Sequence, residues 1–290
     1  MRILILGGTG MLGHTLWDHL SPIFPNTYTT IRKGRCDYGK DVRLESDRVI
    51  EHIDVLDLQL LAGVLRVIQP NVILNCIGIT KRREEPQNPI PSIMLNALFP
   101  HNLVKLAAEL ETKVIHFSTD CVFDGTAGNY ADESQTNAID LYGRTKALGE
   151  VSGKNAITLR SSFIGYEIGE GTELLEWFLA QKGIVKGFKN AIYTGLTTIE
   201  LSRVVDRLLR NYPYATGLYN VSSDPISKFD LLKLISNKMH HDAQVIPEET
   251  FHCNRSLDST KFRREFNYTP PSWEKMVEEL SRVKGVQNDS

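Results

Sequence analysis

Short apolar runs alternate along the first part of the chain with longer stretches in which apolar and polar positions follow a helical repeat. Six runs are rich in Val, Ile, Thr and Tyr and are bounded by Gly, Pro, Asn or Ser, so they are predicted to be strands: residues 2–8, 27–32, 71–78, 113–120, 156–165 and 217–223. The stretches between them are predicted to be helices: residues 11–20, 58–68, 92–111, 140–152 and 199–211. This alternation predicts a parallel sheet with right-handed crossovers. Strands that are almost wholly apolar also indicate a sheet covered on both faces.

The pattern changes after residue 163, where helical stretches outnumber strands. Helices are predicted there within residues 172–183, 227–239, 258–266 and 272–280. We therefore predict two lobes. The first spans residues 1–162, and the segment 191–224 rejoins its sheet through the last predicted strand. The second, residues 163–290, is smaller and mostly helical.

Composition narrows the class of partner. The chain has 290 residues, of which 41% are hydrophobic and 23% charged, and these values are typical of a globular protein. Its formal net charge is −2 and it has no long basic run, so nucleic acid and anionic membrane surfaces are not expected partners. The apolar run at the N-terminus is too short for a secretion signal, and no run approaches the length of a membrane span.

The cysteines predict neither a disulfide framework nor a metal site. Cys36, Cys76, Cys121 and Cys253 are far apart and form no C-x-x-C pair, which favours reduced thiols and a cytoplasmic location. The eight histidines lack the helical H-x-x-x-H spacing of a zinc site, so no metal is expected.

A glycine-rich turn follows the first predicted strand. Gly7, Gly10 and Gly13 are spaced G-x-x-G-x-x-G in "ILILGGTGMLGHTL". Such a turn lets backbone N–H groups approach a pyrophosphate at a helix N-terminus, where the helix dipole favours negative charge. A tight strand-to-helix turn needs glycine for other reasons too, but its place after the first strand of an α/β pattern favours dinucleotide binding. The predicted fold class is thus α/β, a Rossmann-type doubly wound parallel sheet with a smaller, mostly helical substrate lobe.

The residues after the second predicted strand indicate which dinucleotide is bound. Arg32 and Lys33 stand where an acidic residue would bind the ribose of NAD, and no Asp or Glu occurs between Asp18 and Asp37. Basic side chains there suit the 2′-phosphate of NADP. We predict NADPH, with NADH possible; the alternative is two solvated charges at a strand end.

Tyr142 and Lys146 lie four residues apart in "LYGRTKALGE", so they share one face of a predicted helix. A nearby ammonium is expected to lower the pKa of the phenol, and the pair could then protonate a carbonyl oxygen as hydride arrives at its carbon. The alternative is a packed tyrosine beside a snorkelling lysine. Glu150, at the end of this segment, is interpreted as solvated.

Two further features carry candidate chemistry. Ser118 or Thr119, at the end of the strand "KVIHFSTD", could hold the substrate oxygen, and strand alternation sends the two side chains to opposite faces. Pro100 cannot donate to the Asn96 carbonyl, so we expect the helix to kink there and free that carbonyl. The alternative is a helix that simply begins near Pro100.

The glycine spacing and the tyrosine–lysine pair resemble those of the short-chain dehydrogenase/reductase superfamily. The likeness to one of its families extends over almost the whole length. The motifs "ILILGGTGMLG", "NCIG", "FSTDCVFDGTAGNYADES", "LYGRTKALGE", "LRSSFIG", "GLYNVSS" and "NRSLDSTKF" follow its order. The chain resembles the dTDP-4-dehydrorhamnose reductases, which act on nucleotide-linked 4-keto-6-deoxy sugars.

The resemblance implies a role for individual residues. Thr119, ahead of Ser118, would be the catalytic hydroxyl, Tyr142 the acid, and Lys146 its partner and a ligand of the nicotinamide ribose. The other implied cofactor contacts are Gly7, Thr9, Gly10, Met11, Leu12, Gly13, Arg32, Asp54, Val55, Cys76, Ile77 and Gly78. The implied substrate contacts are Asp120, Phe163 and Arg255.

Some positions depart from the family pattern. Cys121 stands where an aromatic residue is usual, and Phe163 where tryptophan is common. The segment with Lys81, Arg82 and Arg83 is unusually basic, and it either meets a charged group of the substrate or forms a solvated loop. A neutral thiol at 121 cannot easily replace the carboxylic acid that a 4,6-dehydratase needs, so dehydration is not expected.

The resulting functional prediction is NADPH-dependent reduction of the C4 ketone of a nucleotide-linked 4-keto-6-deoxy sugar, in deoxysugar or polysaccharide biosynthesis. The alternatives are a nucleotide-sugar 4-epimerase with bound NAD and a non-catalytic NADP-binding regulatory subunit. The expected partner is a small-molecule nucleotide sugar, and a homodimer is possible.

Overall fold

Two sheets of different character organise the molecule. The computed structural model describes residues 1–38, 44–82, 88–168 and 171–288, and the side chains only up to 283. The strands are β1 Ile3–Leu6, β2 Thr27–Thr30, β3 Val49–Ile50, β4 Val72–Asn75, β5 Lys113–Ser118, β6 Ala156–Arg160, β7 Phe163–Ile164, β8 Ile184–Tyr193, β9 Leu196–Thr197, β10 Gly217–Asn220, β11 Ile226–Ser227 and β12 Gln244–Asn254. The helices are α1 Met11–Leu20, α2 Leu58–Ile68, α3 Ile90–Ser92, α4 Phe99–Ala108, α5 Leu141–Leu148, α6 Leu174–Leu179, α7 Thr198–Asn211, α8 Lys228–Lys238, α9 Thr260–Glu265 and α10 Trp273–Asn288.

The larger sheet is parallel throughout and has the order β10-β6-β5-β4-β1-β2-β3. Its strands are covered on both sides. Ile3 and Ile5 of β1 pack into one core with α1 and α7, whereas Leu4 and Leu6 pack into a second core with α2 and α4. Successive side chains of a strand point to opposite faces, so a strand with helices on both sides buries both of its faces. The doubly wound parallel sheet is therefore as predicted.

The predicted helix over residues 92–111 is interrupted by a π-helical segment, Ile93–Leu98, between α3 and α4. The N–H of Phe99 donates to the carbonyl of Met94, five residues earlier. Pro100 follows immediately, and its missing N–H and its ring are a recognised cause of such irregularity. Because helical turns precede Pro100, the alternative in which the helix begins there is wrong.

The smaller lobe contains α8, α9 and α10, and also a three-stranded sheet of order β11-β8-β12. The two long strands of this sheet, β8 and β12, were not predicted from the sequence. β12 contains Pro247 and several glutamates, and most of its residues are exposed or half-buried. An edge strand of this kind lacks the apolar run that identifies a buried strand. β10 joins the large sheet beside β6, so the chain returns to the first lobe before building the rest of the second.

No helix of the described residues is long and apolar enough to cross a membrane.

Candidate active site

A cavity of about 860 Å³ opens where the carboxyl ends of β1, β4, β5 and β6 face the smaller lobe. Ligands of parallel α/β sheets bind at this edge because the loops there diverge to either side. The structure brings a large part of the predicted site together in its wall: Gly10, Met11, Leu12, Cys76, Ile77, Gly78, Thr119, Tyr142, Lys146 and Phe163.

The glycine turn is built for a close backbone approach. Gly7 has φ +87°, which side chains rarely tolerate, and a Cβ on Gly13 would lie 2.0 Å from the Gly7 carbonyl oxygen. α1 begins at Met11, and no side chain of the described residues caps its N-terminus. An uncapped helix N-terminus that opens into a cavity suits an anionic pyrophosphate, so these residues fit a dinucleotide.

Six predicted cofactor contacts lie outside the cavity wall: Gly7, Thr9 and Gly13 in the glycine turn, and Arg32, Asp54 and Val55. Arg32 is exposed just after β2, and Thr9 is half-buried in the glycine turn. Asp54 is exposed, and its carboxylate accepts a hydrogen bond from the N–H of Leu56 at 3.0 Å. Val55 is buried in the core beneath β1. Their roles as cofactor contacts stay predictions.

Tyr142 and Lys146 both face the cavity from α5. Asp140 fixes the start of this helix, since its carboxylate accepts a hydrogen bond from the N–H of Gly143 at 2.8 Å. The ammonium of Lys146 donates to the Phe117 carbonyl at 2.6 Å. Burial lowers the pKa of Lys146 to about 8, and the nearby Glu150 carboxylate opposes that shift.

The pKa of Tyr142 is shifted in the direction opposite to the one we expected. Burial raises it above its usual value, and hydrogen bonding with Thr119 offsets part of the rise. The expected lowering by Lys146 was wrong for this structure, where the ammonium is directed at the Phe117 carbonyl. Tyr142 is therefore fully protonated at neutral pH and can act as a proton donor.

The two hydroxyls at the end of β5 have different partners. Ser118 lines the cavity, but its hydroxyl donates to the Glu150 carboxylate at 2.7 Å. Thr119 donates to Asp120 at 3.2 Å and accepts from the N–H of Cys121 at 3.1 Å. The alternation of the strand thus gives Ser118 a structural partner and leaves Thr119 beside Tyr142.

Glu150 is not solvated, so that interpretation was wrong. Its carboxylate binds the guanidinium of Arg160 through two hydrogen bonds of 2.7 Å each. Both side chains are more than nine-tenths buried. Arg160 also donates to the Asp132 carbonyl at 2.9 Å and lies over the ring of Phe123. This buried pair joins the ends of β5 and β6, because Glu150 also accepts the hydrogen bond of Ser118.

Asp120 and Arg255 do not line the cavity. Asp120 is buried and accepts hydrogen bonds from Ser162 and Thr119. Arg255 donates to the Phe123 carbonyl at 2.8 Å and to the sulfur of Cys121 at 3.5 Å. Both stand behind the wall that Thr119 and Cys121 form, so their predicted contact with substrate stays a prediction.

Asn96 holds the loop after β4. Its amide accepts from the N–H of Ile79 and donates to the carbonyl of the same residue, both at 2.9 Å. The backbone of Asn96 lies against α5: a Cβ on Gly149 would be 1.8 Å from the Asn96 carbonyl oxygen. We expected a kink to free the Asn96 carbonyl. In the structure this carbonyl lies against the end of α5, and it is the side chain of Asn96 that positions the loop after β4.

The basic segment after this loop is partly engaged. Lys81 forms an ion pair of 2.8 Å with Asp140, the N-cap of α5. Arg82 donates to the Thr172 carbonyl at 2.6 Å and lies over the ring of Trp177 in the smaller lobe. Both line the cavity. Arg83 lies outside the described residues.

The opposite wall of the cavity comes from the smaller lobe and was missed. It includes Glu173, Trp177, Tyr193 and Lys228. Tyr193 ends a strand that the sequence did not predict, and Lys228 begins a helix that it did. No short motif marks these residues. The pairing of β8 with β11 brings Tyr193 and Lys228 together at the site. Among the described residues no group of His, Cys, Asp or Glu could hold a metal ion.

Comparison with known proteins gives a family for the chain as a whole. The family profile described as RmlD substrate binding domain matches residues 1–284. The dTDP-4-dehydrorhamnose reductase of Salmonella typhimurium is 24% identical over 304 aligned residues, which cover 97% of each chain.

Two other relatives set the limits of the likeness. Methionine adenosyltransferase 2 subunit beta of Xenopus tropicalis is 30% identical over 149 residues, which are 51% of this chain but only 41% of that protein. The crystal structure of dTDP-4-dehydrorhamnose reductase from Bacillus anthracis in complex with NADP superposes with a TM-score of 0.78. It has 20% identity and covers 96% of this chain and 98% of its own. The structural likeness establishes the fold.

Proposed function

The chain belongs to the RmlD substrate binding domain family, and from that membership we propose that it is an NADPH-dependent oxidoreductase. Its substrate is the C4 ketone of a nucleotide-linked 4-keto-6-deoxy sugar, as in deoxysugar or polysaccharide biosynthesis. The observation that carries this proposal is the meeting of Thr119, Tyr142 and Lys146 in one cavity with the uncapped glycine turn. A hydride donor and a proton donor must act on the two atoms of one carbonyl, and this cavity has room for both.

The residues divide the chemistry between them. The glycine turn and Cys76, Ile77 and Gly78 would hold NADPH, which would supply the hydride for C4. Thr119 would exchange its hydrogen bond to Asp120 for one to the carbonyl oxygen and so fix that oxygen. Tyr142 gives its proton to that oxygen as negative charge develops there, and the Lys146 ammonium stabilises the resulting phenolate. Solvent then returns a proton to Tyr142.

The substrate class rests on the relatives and on one substitution. A full-length relative is named as a reductase of dTDP-4-dehydrorhamnose, which is a nucleotide-linked 4-keto-6-deoxy sugar. Cys121 occupies the position after Thr119 and Asp120, and burial raises the pKa of its thiol to about 12. A neutral thiol of this kind is a poor acid for the elimination of water, so reduction is favoured over 4,6-dehydration.

The choice of NADPH rests on Arg32. Its exposed position after β2 places a cation where the 2′-phosphate of an adenine ribose would lie. A structural neighbour contains NADP. Lys33 is exposed beside it and can add to the same positive field.

We further propose that the protein is a cytoplasmic homodimer. All four cysteines are free, which suits a reducing compartment. The π-helical segment and the helix that carries Tyr142 expose apolar side chains, among them Ile93 at 45% and Leu148 at 67%. An exposed apolar surface of this kind favours association, and light scattering of the purified chain tests it.

The decisive experiment screens dTDP-, UDP- and GDP-linked 4-keto-6-deoxy sugars for NADPH oxidation. We expect one mole of NADPH consumed per mole of sugar. In Tyr142→Phe, kcat should fall by about 10²- to 10⁴-fold, because one general acid is lost. NADPH binding, followed by fluorescence, should be retained. Tyr166→Phe, which removes a hydroxyl outside the cavity, is the matched control.

The alternatives give different results in the same experiment. A 4-epimerase would interconvert sugars without net consumption of NADPH. A regulatory subunit would bind NADPH and be indifferent to Tyr142→Phe. Either result would contradict the proposed reductase.

A further inference from the structure

Tyr193 and Lys228 form a pair on the wall of the cavity that the smaller lobe contributes. Tyr193 ends β8, and Lys228 is the first residue of α8. The antiparallel register of β11 with β8 places Ile226 opposite Tyr193, which fixes the start of α8 beside the ring. The ammonium of Lys228 lies 3.7 Å from the centre of that ring, within cation–π distance.

The hydroxyl of Tyr193 has no hydrogen-bond partner within the described part of the chain, although it is buried. Space is kept for it by Gly195, where a Cβ would lie 2.0 Å from the phenolic oxygen. The ring of Tyr193 also packs against the ring of Trp273, and the two ring centres are 5.5 Å apart. An unsatisfied buried hydroxyl costs about 1–3 kcal/mol, and Tyr193 itself lines the cavity, so a ligand that reaches this end of the ring could satisfy the hydroxyl.

The ammonium of Lys228 is in a similar position. No described residue accepts a hydrogen bond from it or forms an ion pair with it, and it lies over the face of the Tyr193 ring. Burial lowers the pKa of Lys228 to about 8, while the Asp120 carboxylate favours the charged form from a distance. A lysine ammonium has three N–H donors, and the face of an aromatic ring is a weaker partner for them than a hydrogen-bond acceptor. The donors of Lys228 are therefore available to a ligand.

The pair shares its cavity with the proposed proton donor. Tyr193 and Lys228 line the same cavity as Tyr142, and Thr119 and Cys121 at the end of β5 line it too. A substrate whose ketone lies at Tyr142 would therefore have its ring substituents in the cavity that the pair lines.

The charges nearby indicate which substituent fits. The carboxylate of Glu173 also lines the cavity, with one buried oxygen that has no partner among the described residues, and Asp120 stands behind the wall. Both would repel an anionic group on the sugar, while the guanidinium of Arg82, which also lines the cavity, is engaged with the Thr172 carbonyl and the Trp177 ring. A neutral oxygen, such as a hydroxyl or an amide carbonyl, can accept from Lys228 and Tyr193 without that penalty.

We propose that Tyr193 and Lys228 bind a neutral oxygen substituent of the sugar ring beside the reacting carbonyl, and that they decide which sugar is accepted. The inference rests on the proposed function and deepens it, because it assigns sugar selectivity to two residues of the smaller lobe.

The test compares Tyr193→Phe and Lys228→Met with two controls. Lys189→Met removes a lysine from the solvent side of the same strand, where it pairs with Glu249. Tyr166→Phe removes a tyrosine hydroxyl outside the cavity. Titration calorimetry, with NADP⁺ present, measures the affinity of each variant for two ligands. One is the 6-deoxyhexose nucleotide that the screen selects, and the other is the same nucleoside diphosphate without the sugar.

We expect each test variant to weaken binding of the sugar nucleotide, and to raise KM, by about tenfold, as one lost hydrogen bond to a neutral group would. Affinity for the nucleoside diphosphate, NADPH binding and kcat should change less than about threefold by the same reasoning. Equal weakening of both ligands would overturn the proposal, because the pair would then bind the diphosphate. Unchanged affinity in both variants would overturn it as well.

The outcomes also separate this inference from the proposed reaction. If the protein reduces the sugar nucleotide but both variants bind it with unchanged affinity, the pair has no role in sugar binding and the proposed reductase still stands. If both variants weaken binding of the sugar nucleotide but the protein oxidises no NADPH, the result would support the role of the pair and contradict the proposed reductase.

Discussion

The two walls of the cavity differ in how their polar groups are satisfied. On the wall of the large sheet, Lys146 donates to a backbone carbonyl, Thr119 bonds with Asp120, and Asn96 bonds twice with Ile79. On the wall of the smaller lobe, the Tyr193 hydroxyl and one oxygen of Glu173 have no partner among the described residues. Apart from the Thr80 hydroxyl, which also lacks a partner among the described residues, the first wall is thus fixed by its own hydrogen bonds, whereas the second is incomplete.

This difference separates positioning from recognition. A group that must deliver a proton to one atom works best when the protein already holds it in place. A group that selects a substrate gains selectivity when an unsuitable ligand leaves it unsatisfied. Changes in the first wall should therefore lower kcat or stability, and changes in the second should raise KM. The following experiments test that division, from the largest expected effect to the smallest.

Breaking the ion pair behind the first wall should have the largest effect on stability. Arg160→Met leaves the Glu150 carboxylate buried without its cation, at a cost of about 3–5 kcal/mol in the free energy of unfolding. Urea unfolding measures the loss. Arg144→Met, on the exposed side of α5, is the control. The double variant Glu150→Gln/Arg160→Met should recover part of the loss, and a loss below about 1 kcal/mol in the single variant would contradict the importance of the pair.

Releasing the loop after β4 should lower turnover as well as stability. Asn96→Ala removes both hydrogen bonds to Ile79, which we expect to cost about 1–3 kcal/mol of stability. It should also lower kcat about tenfold, since a misplaced wall weakens the orientation of the reacting groups. Asn155→Ala removes an asparagine that bonds only with backbone carbonyls away from the cavity. Equal effects of the two variants on kcat would show that Asn96 acts through stability alone.

The pH dependence of the reaction should report Lys146. Its pKa is lowered to about 8, so the ammonium is present below that pH and is lost as the pH rises through it. If this charge stabilises the phenolate of Tyr142, kcat/KM should be level below pH 8 and fall about tenfold per pH unit above it. The profile is measured in Lys228→Met, which removes a second group with a pKa of about 8. A level profile to pH 10 would contradict the role of Lys146.

A change outside both walls should alter only the choice of cofactor. Arg32→Ala removes an exposed cation, so the preference for NADPH over NADH should fall by about fivefold, or roughly 1 kcal/mol. Steady-state kinetics with both cofactors measure the ratio, and KM for the sugar should stay constant. An unchanged ratio would favour the alternative in which Arg32 is a solvated charge.

The large sheet was predictable because its signals are local. β1 and β4 are apolar at nearly every position, β5 carries Val114, Ile115 and Phe117, and α1 and α2 have the predicted limits. The three-stranded sheet of the smaller lobe was not predictable in the same way. β12 alternates irregularly and carries Pro247, and it is a strand only because β8 lies beside it. Its pairing depends on residues about sixty positions earlier in the chain.

The candidate site divides along the same line. The sequence by itself determined the glycine turn, the strand that ends in Thr119 and the shared face of Tyr142 and Lys146, because spacing along one turn, strand or helix fixes each of them. Only the tertiary structure decided that Glu150 is buried against Arg160 and that Tyr193 meets Lys228 on the smaller lobe's wall of the cavity. Burial and long-range register set the partners of a side chain, and no local pattern encodes either.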